Sequence, residues 1–163
     1  MGGDLMFSVG DKVVYPMHGA GVIEAIEEKE VLGKKRKYYI MKLPLGEMRV
    51  MVPLESAKDS RLRQIIDDEG YKKVVEILKD HSSTMDSNWN HRYRTNMEKI
   101  KSGNIYEVAE VVRNLSLWHK KKGLSNGEKK MLDNARQILI SELVLVKGTK
   151  QDKVEKMLEE LLA

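Results

Sequence analysis

The chain has 163 residues, 41% of them hydrophobic and 33% charged, with a formal net charge of +4 and no cysteine. That length holds one ordinary domain or two small ones, and the composition is that of a globular chain rather than a disordered one. Without cysteine there are no disulfides and no thiolate metal sites, which fits a reducing cytoplasm, the expected location. No stretch approaches the roughly 20 apolar residues of a membrane span, and MGGDLMFSVG lacks the basic start and apolar core of a signal peptide.

In chain order, the first third reads as strands. KVVYPMH, GVIEAIEEKEV, KYYIMKL and MRVMV are rich in Val, Ile and Tyr, and all 3 prolines, Pro16, Pro44 and Pro53, lie among them. The breaks between them carry turn chemistry: His18 to Gly21, Leu32 to Lys35 and Pro44 to Glu47. Four or five short antiparallel strands in about 50 residues predict a strongly bent sheet or a small barrel of the SH3/Tudor type. Neither GVIEAIEEKEV nor MRVMV has a proline inside it, so an edge there is open to a partner's strand.

From about Arg61 the period becomes helical. Apolar stripes run through Tyr71, Val74, Val75 and Leu78, then Tyr93, Met97 and Ile100, then Ile105, Val108, Val111, Val112 and Leu115. Two more follow: Met131, Ala135, Ile138, Leu139 and Leu143, and finally Val154, Met157, Leu158 and Leu161. Asn104 to Glu107 and Ser125 to Glu128 have the form of capping boxes, with Thr149 to Asp152 a weaker one. Gly103, Gly123 and Gly148 sit where helices should stop. The fold class is therefore α+β, sheet first and helices after. The change of period falls between residues 56 and 64 and divides the chain into 1–60 and 61–163. Short loops predict antiparallel helices in a compact bundle.

The chemistry of catalysis is missing from the pattern. His18, His81, His91 and His119 stand too far apart for ligand spacing, and there is no HExxH, no P-loop and no GxSxG elbow. Gly19 and Gly21 lack the third glycine of a dinucleotide fingerprint and read as a hairpin turn. No enzyme, no cofactor, no metal and no small-molecule substrate is expected.

The run SSTMDSNWNHRYRTN points elsewhere. It is polar up to Trp89, with Met85 its one large apolar residue, and it continues into Arg92, Tyr93 and Arg94. Residues 91–136 carry 11 Lys/Arg against 5 Asp/Glu, so the whole basic excess of the chain lies in one window beginning just after Trp89. Such a window makes a patch, and an apolar wedge among arginines is suited to partly unstacked bases. The alternative is that Trp89 caps the apolar stripe of its own helix, sharing a face with Tyr93, Met97 and Ile100, beside a merely solvated basic surface. Trp118, three residues after Leu115, reads as a core residue.

Three blocks, VGDKVVYPMHGAGVIEAIE at 9–27, NWNHRYRTNMEKIKSGNIYEVAEVVRNL at 88–115 and GLSNGEKKMLDNARQILISEL at 123–143, resemble the CarD/CdnL family of bacterial RNA polymerase-binding regulators. The resemblance extends from about Phe7 to Ala163, and its first block also occurs in transcription-repair coupling factors. It implies a Tudor-like N-terminal domain docked on the polymerase β subunit. It further implies a helical C-terminal domain that touches promoter DNA at the upstream edge of the bubble and stabilises the open complex. The family's wedge tryptophan falls on Trp89 and its neighbouring basic position on Arg94. Its two basic β-contact positions fall on Lys29 and Met51; the second is not basic here, and Arg49, on the same strand face, could supply the charge. Asn88 is suited to a base edge or sugar, and Arg92, Arg94, Lys129 and Lys130 are expected to hold phosphates. The rival readings are an interaction adaptor of the transcription machinery without DNA contact and an RNA-binding accessory of ribosomes. The latter lacks an RRM or KH signature.

Overall fold

A computed structural model describes residues 7–55, 62–82 and 85–163. Five strands come first: β1 (Lys12–Tyr15), β2 (Gly19–Val31), β3 (Lys34–Lys42), β4 (Arg49–Pro53) and β5 (Arg63–Gln64). They form one antiparallel sheet in the order β4-β3-β2-β1-β5, with β4 and β5 at its edges. The fifth strand lies beyond residue 60, where the sequence divides the chain. Val13 and Val14 pair with Gln64 and Arg63, so the sheet reaches Gln64 and the period change at Arg61 does not yet mean helix. Residues 56–61, where that boundary was drawn, lie outside the described residues.

The expected turn at Gly19 to Gly21 is also displaced. The chain reverses at Pro16 to His18, and Gly19 already opens β2. The glycines serve close approach instead. A Cβ on Gly19 would stand 2.8 Å from the Ser141 hydroxyl, and one on Gly21 would stand 2.7 Å from the Lys42 carbonyl. Neither distance leaves room for a side chain. The turns at Leu32-Gly33 and at Pro44 to Glu47 fall where expected.

Among the described residues beyond the sheet, the helices are α1 (Asp68–Lys79), α2 (Trp89–Lys101), α3 (Ile105–Lys122), α4 (Asn126–Lys147) and α5 (Gln151–Leu161). Their N-termini follow local chemistry. Asp67, Asn88, Asn104 and Ser125 each accept a hydrogen bond from a backbone N–H of the first turn. The weak box at Thr149 is not used: the cap of α5 is Lys150, with no side-chain bond. Gly123 and Gly148 close α3 and α4. The apolar stripes meet in one helical core that includes Leu78, Ile100, Leu115, Leu139, Leu143 and Leu158. A smaller core of Val13, Ile23, Tyr39, Met41, Leu43, Val52 and Leu62 lies on one face of the sheet.

The sheet is fastened to α4. The Ala20 N–H donates to the Ser141 hydroxyl at 2.8 Å, and that hydroxyl donates to the Ile138 carbonyl at 2.7 Å. Arg63 forms a forked pair with buried Glu142 at 2.9 and 2.8 Å, and the Ile66 N–H donates to the same carboxylate at 2.8 Å. Buried carboxylates of this kind hold their place only when every oxygen is partnered, as here. Helix α4 thus carries the sheet toward its C-terminal end and, about 24 Å away along its axis at 1.5 Å per residue, the cap residue Ser125 at its start.

Candidate nucleic-acid interface and sheet edge

Asn88 starts α2 because its extended backbone and short amide suit a cap, and its Oδ1 accepts from the His91 N–H at 3.0 Å. Asp86 braces the same turn, accepting from the Asn88 N–H at 2.8 Å and meeting His91 Nδ1 at 2.7 Å. The Asn88 N–H, with His91 adding to it, holds the Asp86 carboxyl below its ordinary range. Half of the Asn88 amide is therefore committed to the helix, and only its Nδ2 remains to face a base or sugar.

The cap puts Trp89 at the first helical position, where the residue is 43% exposed. It does not swing freely. It stacks on Tyr93 with centroids 5.0 Å apart and planes at 21°, and its Nε1–H donates to the Ser125 hydroxyl of α4 at 3.0 Å.

Arg92 corrects an expectation. It was expected to hold phosphate, but it is 6% exposed and turned inward. Its Nε and Nη2 donate to Glu128 at 2.8 and 3.1 Å, and its Nη1 reaches the carbonyls of Asp86 and Ser87 at 3.2 and 3.3 Å. Its guanidinium also lies 4.4 Å from the centroid of the Trp118 ring. A planar fork with this many partners is a buried structural ion, not a surface contact. The Arg92 bonds hold buried Glu128 below the usual glutamate range against the opposing effect of burial, and Glu128 in turn raises Arg92. Glu128 is 36 residues away in the chain, and in local sequence it shows only as the last residue of a cap.

Arg94, Lys129 and Lys130 are exposed, and none of them has an ion-pair partner among the described residues. Lys121 and Lys122, also exposed, close α3 beside the start of α4, with the Lys122 ammonium 5.0 Å from the Trp118 centroid. Trp118 is half-buried against the helical core. The start of α2, the end of α3 and the start of α4 thus gather one exposed aromatic and five cations without an ion-pair partner among the described residues.

The other candidate surface is on the sheet. Strand register puts Lys29 opposite Arg36, Ile40 opposite Met51 and Lys42 opposite Arg49. Alternation then places Lys29, Arg36, Tyr38, Ile40, Arg49 and Met51 on one face, away from the small core. Met51 is 41% exposed on edge strand β4. Arg49 is not a free charge, since it forms a forked pair with Glu24 at 2.7 and 3.1 Å that lowers the Glu24 carboxyl and raises Arg49. Lys29 has only a loose contact with Glu27 at 3.7 Å, both side chains about half exposed. Arg36, which the sequence did not single out, is exposed directly across from Lys29. Like charges in that relation repel, and they cost stability unless something acidic lies over them.

Residues 7–66 match the CarD-like/TRCF RID domain, and residues 73–159 match the CarD C-terminal domain. The chain is 45% identical over 150 residues to the putative transcription factor YdeB of Bacillus subtilis (strain 168), covering 92% of this chain and 98% of that protein. The solution NMR structure of the 72-residue N-terminal domain of Myxococcus xanthus CarD is 36% identical, covers 37% of this chain and 81% of that one, and superposes with a TM-score of 0.32. No described helix is long and apolar enough to cross a membrane. With both family domains matched in order and a relative aligned almost end to end, the chain belongs to the CarD family of transcription factors.

Proposed function

We propose that this protein binds the RNA polymerase β subunit through the β4 edge and its basic face, and contacts promoter DNA at the upstream edge of the bubble with the Trp89 end of the bundle. The observation that carries the reading is Trp89 itself. A half-exposed indole stands at the start of a helix among Arg94, Lys121, Lys122, Lys129 and Lys130. An apolar wedge flanked by cations suits a step where the duplex is already parting, because melting meets part of the unstacking cost. The match of residues 7–66 to a domain shared with transcription-repair coupling factors supports the polymerase side. β4, an edge strand with Met51 exposed, supports docking by strand addition.

The two surfaces need each other. A patch of a few phosphate contacts binds duplex DNA with a Kd on the order of 10⁻⁴ to 10⁻⁶ M, too weak to occupy a promoter alone. Tethered to polymerase it acts at an effective concentration on the order of mM. Helix α4, fixed to the sheet at Ser141 and Glu142, serves as a stiff spacer between the sites. Preference for melted over closed DNA then lengthens the open complex, tenfold for about 1.4 kcal/mol of differential affinity. The test is open-complex lifetime on a responsive promoter, with polymerase capture measured in parallel. Loss of lifetime in Trp89→Ala with capture retained is expected. An unchanged lifetime would leave the protein an adaptor without DNA contact.

A further inference from the structure

We infer that Ser125 and Glu128 are positioning residues for Trp89: the cap of α4 locks the indole on α2 into the orientation in which it meets DNA. The inference rests on the wedge reading above and deepens it.

The geometry begins with the Ser125 hydroxyl, which has one proton and two lone pairs. It accepts from the Trp89 Nε1–H at 3.0 Å and from the Glu128 N–H at 3.2 Å, and it donates to Glu128 Oε1 at 3.2 Å. Nothing on the hydroxyl is left over. Its proton points to Glu128 because that carboxylate is buried and acceptor-only, with both oxygens also bonded by Arg92. The lone pair turned toward Trp89 is therefore fixed by the Arg92–Glu128 pair. A S-x-x-E cap that ordinarily serves its own helix here also reaches a side chain of another helix. Tyr93 supplies the second hold, stacked under one face of the indole, and it lies against the first turn of α4, where a Cβ on Gly127 would stand 3.7 Å from its ring.

Two consequences follow for DNA. The indole N–H is spent inside the protein, so the ring offers DNA its free face and edge but no donor, which makes the contact insensitive to sequence. The ring is also ordered before binding, so insertion does not have to freeze a side chain.

The test compares Ser125→Gly, Ser125→Ala and Ser125→Thr in the full-length protein. Gly and Thr are both accepted at helix caps, so α4 persists in each, but only Thr keeps the hydroxyl. The first readout needs no DNA: solvent exchange of the Trp89 indole N–H by NMR, assigned by its disappearance in Trp89→Phe. The second is open-complex lifetime with polymerase on a promoter. Ser125→Gly and Ser125→Ala should speed the exchange and shorten the lifetime by about three- to tenfold, the worth of one hydrogen bond. Ser125→Thr should restore both, and polymerase capture should be constant throughout. Ser125→Gly added to Trp89→Ala should cost no further lifetime, because Ser125 acts through the ring. Additive losses, a shortened lifetime with unchanged exchange, or an unchanged lifetime in Ser125→Gly beside a shortened one in Trp89→Ala would each overturn the positioning role. If Trp89→Ala itself leaves the lifetime unchanged, the wedge reading fails and this inference falls with it.

Discussion

Arg92 of α2 and Glu128 of α4 form a forked ion pair, 6% and 1% exposed, that joins two helices and is linked to Trp89 through the Ser125 hydroxyl. The pair is a support and not a contact. Removing one partner strands the other as a buried unpaired charge, which costs about 3–5 kcal/mol. We expect Arg92→Met and Glu128→Leu each to lower the unfolding free energy, read from denaturant titration, by that order. The double substitution should recover a large part of the loss, because an apolar pair leaves no orphaned charge. Equal and additive losses in a double-mutant cycle would show that the two residues do not act on each other.

Acid should act through the same pair. Arg92 holds Glu128 below its ordinary range, so the folded carboxyl gives up its proton more readily than the unfolded one. Stability from this group is then fully present above about pH 4.3, the ordinary glutamate value, and is lost as pH falls through the lower folded value. Asp86, lowered chiefly by the Asn88 N–H, adds to the same limb. Denaturation midpoints measured from pH 7 to 2 should fall on the acid side, and Glu128→Gln, weaker at pH 7, should show a shallower fall. A parallel fall in both proteins would remove Glu128 from the acid limb.

Trp89→Ala should be mild for stability. The residue is 43% exposed, so truncation loses a stack on Tyr93 and one hydrogen bond rather than a core side chain. About 1–2 kcal/mol is expected, against about 3–5 for a buried tryptophan. A melting curve decides this before any promoter is used, and a larger loss would mean that the indole supports the bundle.

Arg94 and Arg92 should separate cleanly on DNA. Replacing exposed Arg94 with Glu should weaken binding to all sequences alike and flatten the salt slope by about one unit. Arg92→Lys should lower stability yet leave the salt slope of the folded protein nearly unchanged, since its charge meets Glu128 and not phosphate. A sequence-selective loss in Arg94→Glu would indicate base readout.

On the sheet, Lys29→Glu with Arg36→Glu should abolish capture of the β subunit while the fold persists, because two facing cations become two facing anions. Arg49→Ala should weaken capture far less than the double change, as its charge is already answered by Glu24. Capture unchanged by the double substitution would take this face out of the interaction.

Much of this was legible in the chain, for local reasons. The switch from alternation to helical spacing separates sheet from bundle, and the caps at Asn104 and Ser125 and the stops at Gly123 and Gly148 are fixed by neighbours a few residues away. Trp89 stands out because the polar run before it offers no large apolar partner beyond Met85, a property of composition. Tertiary structure decided whatever depends on residues remote in sequence. β5 is two residues long, too short to carry a period, and exists only because β1 is there to pair with it. Gly19 and Gly21 look like a turn until Ser141 and the Lys42 carbonyl are brought against them. Arg92 and Arg94 have the same chemistry two positions apart, but a helix turns them to different faces. One meets a carboxylate from α4 and disappears into the bundle; the other stays in solvent. A charge pattern gives the number of cations, while only the packed helices determine which of them remain free to bind.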